Sequence, residues 1–456
     1  ADVWEESHAK WAKKAAFIFE GKTYTFDDIE KMANRVANWL KTKGGPHPGI
    51  IFAGINKGDV VALFMENCPE YVAIWLGILK VGAVGALINY NLTRKPLVHS
   101  ITVLNTSLCA DSSERHARFV SQCCGLRRGM QLFSFGGAVD GMPTVEQQLT
   151  LVGTHEMKPI DSCAQQVSDK RPPRKLREGC KFTDPALLVY TSGTTGLPKA
   201  ATIKHLRMFS MGKGFTLMFG IKNEDRIYCV LPLYHSAGGV CHCVLSAAVG
   251  LCGVGMTICS GATMILKKKF SATSFFKDCR DQKVTVIQYI GELCRYLLTA
   301  PPTKDDSTND IRIAIGNGLR PDIWAKFQSR FGIPEVGEFY GSTEGNAALF
   351  NHCTTTAAQG AVGRMGPLLK KVPQHTRAAR VQLVKFDVVK EEPIRDANGF
   401  CMPCQPGEIG ELLGEIDDKD PLRQFAGYYN NAKGTTSKIL VDAFKKGDKF
   451  FRTGGV

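Results

Sequence analysis

Long blocks of basic residues are missing from this 456-residue chain; Lys267–Lys269 and Lys445–Lys446 are short. That argues against a nucleic-acid binder, which needs a basic face or stripe along the phosphate backbone. Paired metal-binding cysteines are missing too. Of 16 cysteines, only Cys401 and Cys404 form a C-x-x-C, and Cys241-His242-Cys243 is too tight for one tetrahedral site. The cysteines read as small buried hydrophobes in a reducing compartment. Internal repeats and low-complexity tracts are absent as well, which excludes solenoids and wholesale disorder.

An uninterrupted membrane-length apolar run is also lacking. Residues 71–90 carry Lys80 at their centre, and residues 237–266 are Gly- and Ala-rich and broken by His242. Both read as buried helix and strand in a core rather than as spans, with a membrane span as the minor alternative for 237–266. The chain opens on ADVWEESHAK, without Met and without a charged-then-apolar leader pattern.

What remains is ordinary globular material: 44% hydrophobic, 22% charged, 46 glycines and a formal net charge of +14. The length predicts about two to four domains or subdomains. The positive balance favours anionic partners such as nucleotides, phosphates or a membrane surface.

The stretch FEGKTYTFDDIEKMANRVANWLKTKG predicts a hairpin followed by a helix. Thr25 and Asp28 have capping-box spacing, and Phe26, Ile29, Met32, Val36 and Leu40 form one apolar stripe. KGDVVALFMEN (57–67) reads as a strand, Pro69–Leu79 as a helix, and Val84–Ile88 as a second strand. This β-α-β rhythm predicts a mainly parallel sheet. Polar, basic residues 161–182 read as an exposed connection.

PALLVY (185–190) and KAATIKH (199–205) are strands around a loop, and βα units follow at 226–232, 262–266, 284–298 and 311–330. Beyond about residue 376, short Gly-punctuated strands predict a small antiparallel barrel or sheet. The fold class expected is α/β: two βα-wound sheet subdomains plus a small C-terminal β-barrel-like part. The boundaries drawn are 1–160, a connection at 161–182, 183–375, and a β-rich part at 376–456 that stops on TGGV as if truncated.

The loop in YTSGTTGLPK (190–199) offers backbone N–H groups, hydroxyls and Lys199 to a polyanion. It is not a Walker A motif, because the glycine spacing differs and a strand follows. LPLYHSAG (231–238), GNGL (316–319) and EFYGSTEG (338–345) also sit at strand ends, where open α/β sheets bind ligands. No G-x-S-x-G elbow surrounds Ser192 or Ser236. Taken singly, His235 reads as a hydrogen-bonded turn residue and Glu344 as a solvated carboxylate. As an ordered set the four stretches read as one site.

That set resembles the adenylate-forming (AMP-binding) superfamily of acyl-CoA synthetases, luciferases and peptide-synthetase adenylation domains. LPLYHSAG, KKFSAT, VIQYIGELCRYLL, GNGLRPDIW, EFYGSTEG, CMPCQPGEIGEL and DPLRQFAGYYN narrow the resemblance to its fatty acid transport protein and very-long-chain acyl-CoA synthetase branch. It runs from about residue 12 to the end and is weakest at 100–180 and 346–380. Residues 237–262 are longer than the family usually has there.

The resemblance implies a ligase that joins a long-chain fatty acid to ATP and then to CoA, with Mg²⁺ neutralising the approaching anions. By similarity, Thr191, Ser192, Gly193, Thr194, Thr195, Gly196 and Lys199 hold the β- and γ-phosphates. Thr343 contacts the α-phosphate, and Glu344 holds Mg²⁺. Gly316, Asn317 and Gly318 lie along the adenine, with Tyr340 on its other side, followed by Gly341 and Ser342. His235 stands where the carboxylate meets the α-phosphate. Gln288, Tyr289, Gly291 and Tyr296 wall the acyl tunnel.

The resemblance also implies a membrane surface as partner, at the endoplasmic reticulum, plasma membrane or peroxisome. It leaves oligomerisation open. A mobile C-terminal domain carrying a lysine is expected beyond residue 456, and a membrane anchor before Ala1. One departure stands out: the family's T-G-D here reads Thr453-Gly454-Gly455. Losing that acceptor for the ribose should cost about 1.5–3 kcal/mol of nucleotide binding. Two alternatives remain at this stage: a non-catalytic fatty acid binder, and a ligase for bile or branched-chain acids.

Overall fold

In the first hairpin, strand β1 (Ala15–Phe19) turns at Glu20 and Gly21, both at positive φ, into β2 (Lys22–Thr25). Thr25 then caps the helix Phe26–Lys41: its backbone and hydroxyl donate to Asp28 at 2.8 and 2.7 Å, and Asp28 N–H donates to Thr25 Oγ1 at 3.1 Å. The predicted stripe faces inward, with Phe26, Ile29, Val36 and Leu40 buried and Met32 half-buried. The computed structural model describes residues 1–41, 54–104, 108–112, 131–135, 157–159, 167–191, 196–234, 247–363 and 381–454.

Among these residues the strands continue as β3 (Val60–Phe64), β4 (Val84–Leu87), β5 (Leu108–Ser112), β6 (Gln131–Phe135), β7 (Met157–Pro159), β8 (Pro185–Thr191) and β9 (Lys199–Lys204). Then come β10 (Arg226–Cys229), β11 (Thr263–Leu266), β12 (Val286–Ile290), β13 (Ile313–Asn317), β14 (Glu335–Gly341) and β15 (Ala348–Cys353). A last group comprises β16 (Val381–Asp387), β17 (Glu392–Pro393), β18 (Gly410–Glu415), β19 (Ile439–Val441) and β20 (Lys449–Arg452).

They form a seven-stranded sheet in the order β7-β6-β5-β3-β4-β8-β9, an eight-stranded sheet in the order β15-β14-β13-β12-β10-β11-β1-β2, and a five-stranded sheet in the order β17-β16-β18-β20-β19. The two larger sheets are parallel except at edges, where β9, β15 and β2 run antiparallel to their neighbours. The C-terminal sheet is antiparallel, as its short Gly-broken strands predict. Val384, Cys401, Leu413, Ala443 and Phe450 form its own small core.

The two large sheets exchange strands. β1 and β2 pair into the eight-stranded sheet beside β11, whereas β8 and β9 complete the seven-stranded sheet beside β4. The units drawn at 1–160 and 183–375 therefore do not each own a sheet. Alternation along a strand encodes which face is buried, not which neighbour it meets.

The connection at 161–182 is mostly exposed over its described part, with Pro172 and Arg177 buried, and it is tied down by ion pairs. Arg171 reaches Glu30 at 2.9 Å, and Arg177, itself buried, reaches Asp2 and Glu5 at 2.8 Å each. Lys80 lies fully buried between Glu5 and Glu30, at 3.0 and 3.1 Å. The charge that broke the apolar run 71–90 is thus the hub of an ion cluster tying the first two helices to this connection. Within the run 237–266, the described helix spans Ala247–Ser260, and no described helix is long and apolar enough to cross a membrane.

Candidate functional site

The opening loop leaves β8 at Thr191 and re-enters β9 at Lys199, which are cross-strand partners. Ser192, Gly193, Thr194 and Thr195 lie outside the described residues, as does His235. Gly196 marks the return, exposed and at φ +94°, a conformation that only glycine adopts without strain.

Tyr428, from the stretch DPLRQFAGYYN, stands beside Lys199, where the chain re-enters β9. Its segment pairs onto β9 through Thr202 N–H to Gly427 O at 3.1 Å and Tyr429 N–H to Ala200 O at 2.8 Å. Lys199 Nζ lies 5.5 Å from the Tyr428 ring centre. The Tyr428 hydroxyl donates to Glu344 Oε1 at 2.7 Å, and burial together with the carboxylate holds that phenol well above its ordinary range. The segment around Tyr428 thereby joins β9 and Lys199 to the YGSTEG turn.

Glu344 is not the solvated carboxylate its isolated sequence suggests: it is 1% exposed. Its Oε2 and the Thr343 Oγ1 beside it are buried with no hydrogen-bond partner among the described residues. Buried polar atoms are nearly always partnered, so this pair marks a place built for a group that brings its own donors or cations. The turn is held from beneath by Arg207, which donates to Ser342 O at 2.5 Å and to Gly345 O. Burial pushes the Arg207 guanidinium down to about 10, against the pull of Glu344, so it keeps its charge at neutral pH. Ser342 Oγ accepts from Gly345 N–H at 3.1 Å, making Ser342 part of the turn's own frame. A Cβ on Gly341 would make only ordinary contacts, with Ala347 O and Ala348 Cβ at 3.9 Å each.

On the neighbouring strand, Asn317 Oδ1 is also buried without a partner among the described residues. Gly318 adopts φ +76°, so the GNGL turn requires glycine there. Burial lifts the Tyr340 hydroxyl to about 12, and Thr453 hydrogen-bonds to it. The TGG end thus arrives beside YGSTEG, with Gly454 N–H on Glu411 at 2.9 Å; Gly455 lies outside the described residues.

The four residues expected along an acyl tunnel do not share one wall. Side chains alternate across a strand. Gln288 meets the helix Ala247–Ser260, where a Cβ on Gly253 would come within 2.2 Å of Gln288 Oε1. Tyr289 points to the opposite face, against Phe327, and donates to Glu338. A Cβ on Gly291 would lie 1.6 Å from Gly318 O, so Gly291 supports the GNGL turn. Tyr296 is 46% exposed, on the outer face of the helix Gly291–Thr299 whose Leu293, Cys294 and Leu297 are buried. Of the four, only Gln288 faces the Ala247–Ser260 helix.

Glu338, Arg207 and Tyr428 were missed in the sequence. Glu338 and Tyr428 lay inside quoted motifs, but no spacing signalled their contacts; Arg207 lay outside every motif.

The arrangement of two large, mainly parallel sheets flanked by an antiparallel sheet is similar to that of solved structures. One is the N-terminal domain of FACL13 from Mycobacterium tuberculosis, with a TM-score of 0.70, 19% identity, and coverage of 99% of this chain and 94% of that one. Another is ATP-bound MatB from Rhodopseudomonas palustris, with a TM-score of 0.70, 20% identity, and coverage of 99% and 75%. At these identities the likeness is one of fold. The family model described as "AMP-binding enzyme" matches residues 4–413, and the chain belongs to that family. Among curated relatives, long-chain fatty acid transport protein 2 of Rattus norvegicus is 40% identical over 455 residues, 99% of this chain and 66% of that protein. Long-chain fatty acid transport protein 1 of Homo sapiens is 37% identical over 436 residues, 96% of this chain and 61% of that protein. The resemblance read from the motifs thus holds at the level of family and relatives. The chain spans less than two thirds of the length of these relatives.

Proposed function

We propose that this chain carries the nucleotide and acid sites of an ATP-dependent, AMP-forming long- or very-long-chain fatty acid–CoA ligase, coupled to fatty acid uptake. The carrying observation is the meeting of Lys199, Tyr428, Thr343 and Glu344 around buried polar atoms that lack partners among the described residues. A carboxylate oxygen attacks the α-phosphorus of ATP and pyrophosphate leaves; the CoA thiolate then attacks the acyl carbonyl and AMP leaves. Lys199 and the loop from Thr191 to Gly196 grip the β- and γ-phosphates. Thr343 meets the α-phosphate, the turn Gly316–Gly318 and Tyr340 flank the adenine, and His235 stands at the junction with the acid.

Mg²⁺ fits the donor set in one way. No cluster of three potential ligands exists among the described residues, so Glu344 would share the ion with the nucleotide's own phosphates. The ion would neutralise charge between the two approaching anions. The names of the relatives support a long-chain acid and work at a membrane surface.

ATP–pyrophosphate exchange across acids of increasing chain length tests the reading, on this chain and on any longer form containing it. Exchange restricted to long chains is expected; exchange with bile or branched-chain acids instead would reassign the substrate. Fatty acid binding without any exchange would favour the second reading, a non-catalytic binder, which Gly455 in place of the family's aspartate motivates.

A further inference from the structure

Three residues in one row across β12, β13 and β14 lie in register: Tyr289 opposite Gly316, and Gly316 opposite Glu338. Tyr289 and Glu338 share a face of the sheet, and the residue between them has no side chain. A Cβ on Gly316 would stand 2.7 Å from Cγ and Cδ2 of the Tyr289 ring. The ring therefore lies across β13, and its hydroxyl donates to Glu338 Oε2 on the strand beyond. Glu338 Oε1 accepts from the backbone N–H groups of Gly318 and, at 3.3 Å, of Leu319. Both oxygens of a carboxylate only 1% exposed are thus occupied, one by the tyrosine and one by the GNGL turn.

Gly318 sits at φ +76°, and its carbonyl is met from below by Gly291, where a Cβ would lie 1.6 Å away. The glycines at 291, 316 and 318 therefore each serve one assembly, which holds the buried Asn317, whose Oδ1 has no partner among the described residues. A buried carboxylate is costly unless its acceptor sites are filled. An apolar residue at 338 would pack as well, so a core role alone does not account for this glutamate.

We infer that Glu338 is a positioning residue: braced by Tyr289, it sets the Gly316–Leu319 turn and through it the grip on the nucleoside end of ATP. This rests on the nucleotide reading of the site. Glu338 acts through the turn and has no part in the reacting atoms. Glutamine keeps the geometry, since its oxygen can accept from Gly318 and Leu319 while its amide donates to the Tyr289 oxygen. Leucine keeps the volume and loses every acceptor.

The experiment measures equilibrium binding of ATP, and separately of inorganic tripolyphosphate, to the 456-residue chain and to Glu338→Leu, Glu338→Gln and Tyr289→Phe. Tripolyphosphate engages only the phosphate end, around Lys199 and Glu344. Expected is a loss of ATP affinity of about 10-fold or more in Glu338→Leu, the equivalent of one charged hydrogen-bond acceptor. Tyr289→Phe should lose a few-fold and Glu338→Gln less than about 3-fold. Tripolyphosphate binding should stay level across all four proteins. ATP binding by Glu338→Leu at the parent's affinity overturns the inference, as does an equal loss of ATP and tripolyphosphate, which would mark a merely structural role. Failure of the parent chain to bind ATP at all overturns the nucleotide reading itself, and this inference with it.

Discussion

The Tyr428 hydroxyl donates to Glu344 at 2.7 Å, and this bond links the segment between β18 and β19 to the turn that closes β14. Tyr428 fills one oxygen of a buried carboxylate, while the other, Oε2, has no partner among the described residues. Tyr428→Phe leaves both oxygens short of a donor. The expected cost is about 1–3 kcal/mol of stability, read as a lower urea midpoint, with weaker pyrophosphate exchange beside it.

Glu344→Gln keeps the Tyr428 bond and removes the charge. If this carboxylate shares Mg²⁺ with the nucleotide, exchange should drop on the order of 10²-fold and the Mg²⁺ concentration for half-activity should rise. An unchanged Mg²⁺ titration would remove Glu344 from the metal's surroundings.

Lys80 is fully buried between Glu5 and Glu30. Burial raises the Glu30 carboxyl, but Lys80, Trp4 and Arg171 together reverse this and hold it below its ordinary range. Lys80→Met should cost about 3–5 kcal/mol, because it strands buried carboxylates. Lys80→Met combined with Glu30→Gln should regain part of that loss in the same urea titration. A double variant no more stable than the single would place the cost in packing instead.

Burial lifts the Glu338 carboxyl from 4.5 to about 7, with the Tyr289, Gly318 and Leu319 donors only partly opposing it. The folded chain therefore holds this proton more tightly than the unfolded chain does. Its contribution is fully present below pH 4.5 and is lost as pH rises through 7. Relative to Glu338→Gln, the parent protein should lose up to about 3 kcal/mol across that window and then level off. Parallel stability–pH curves for the two proteins would contradict the assignment.

Gly291→Ala places a Cβ 1.6 Å from the Gly318 carbonyl oxygen, a backbone atom that cannot turn aside. The GNGL turn must shift. Weaker ATP binding and about 1–3 kcal/mol of lost stability are expected, by isothermal titration and urea unfolding.

Much of the local structure was legible from residue order. The capping pair Thr25 and Asp28, the stripe from Phe26 to Leu40, the Pro69 helix start and the switch to short antiparallel strands after residue 376 all appear where the sequence predicts them. These depend on neighbours within a turn or a strand, which is the range over which sequence periodicity speaks. The ordered motifs likewise predicted the family that the comparisons show.

Partners far apart in the chain were not legible. Sequence order left open that β1 would join β11 or that β8 would join β4, because an apolar strand specifies its buried face and not its neighbour. The expected acyl wall separated for the same reason: adjacent Gln288 and Tyr289 must take opposite faces of β12, and the exposed face of a short helix claimed Tyr296. Glu344 as a solvated carboxylate and residues 161–182 as an exposed connection without named partners were readings of single segments. Tertiary packing buried the first beneath Tyr428 and tied the second to the first two helices through Arg171 and Arg177. Sequence alone determined which short elements form and which anion-binding motifs they carry. Only the tertiary structure decided which charges are buried and whom they face, since burial and pairing are set by strand neighbours hundreds of residues apart.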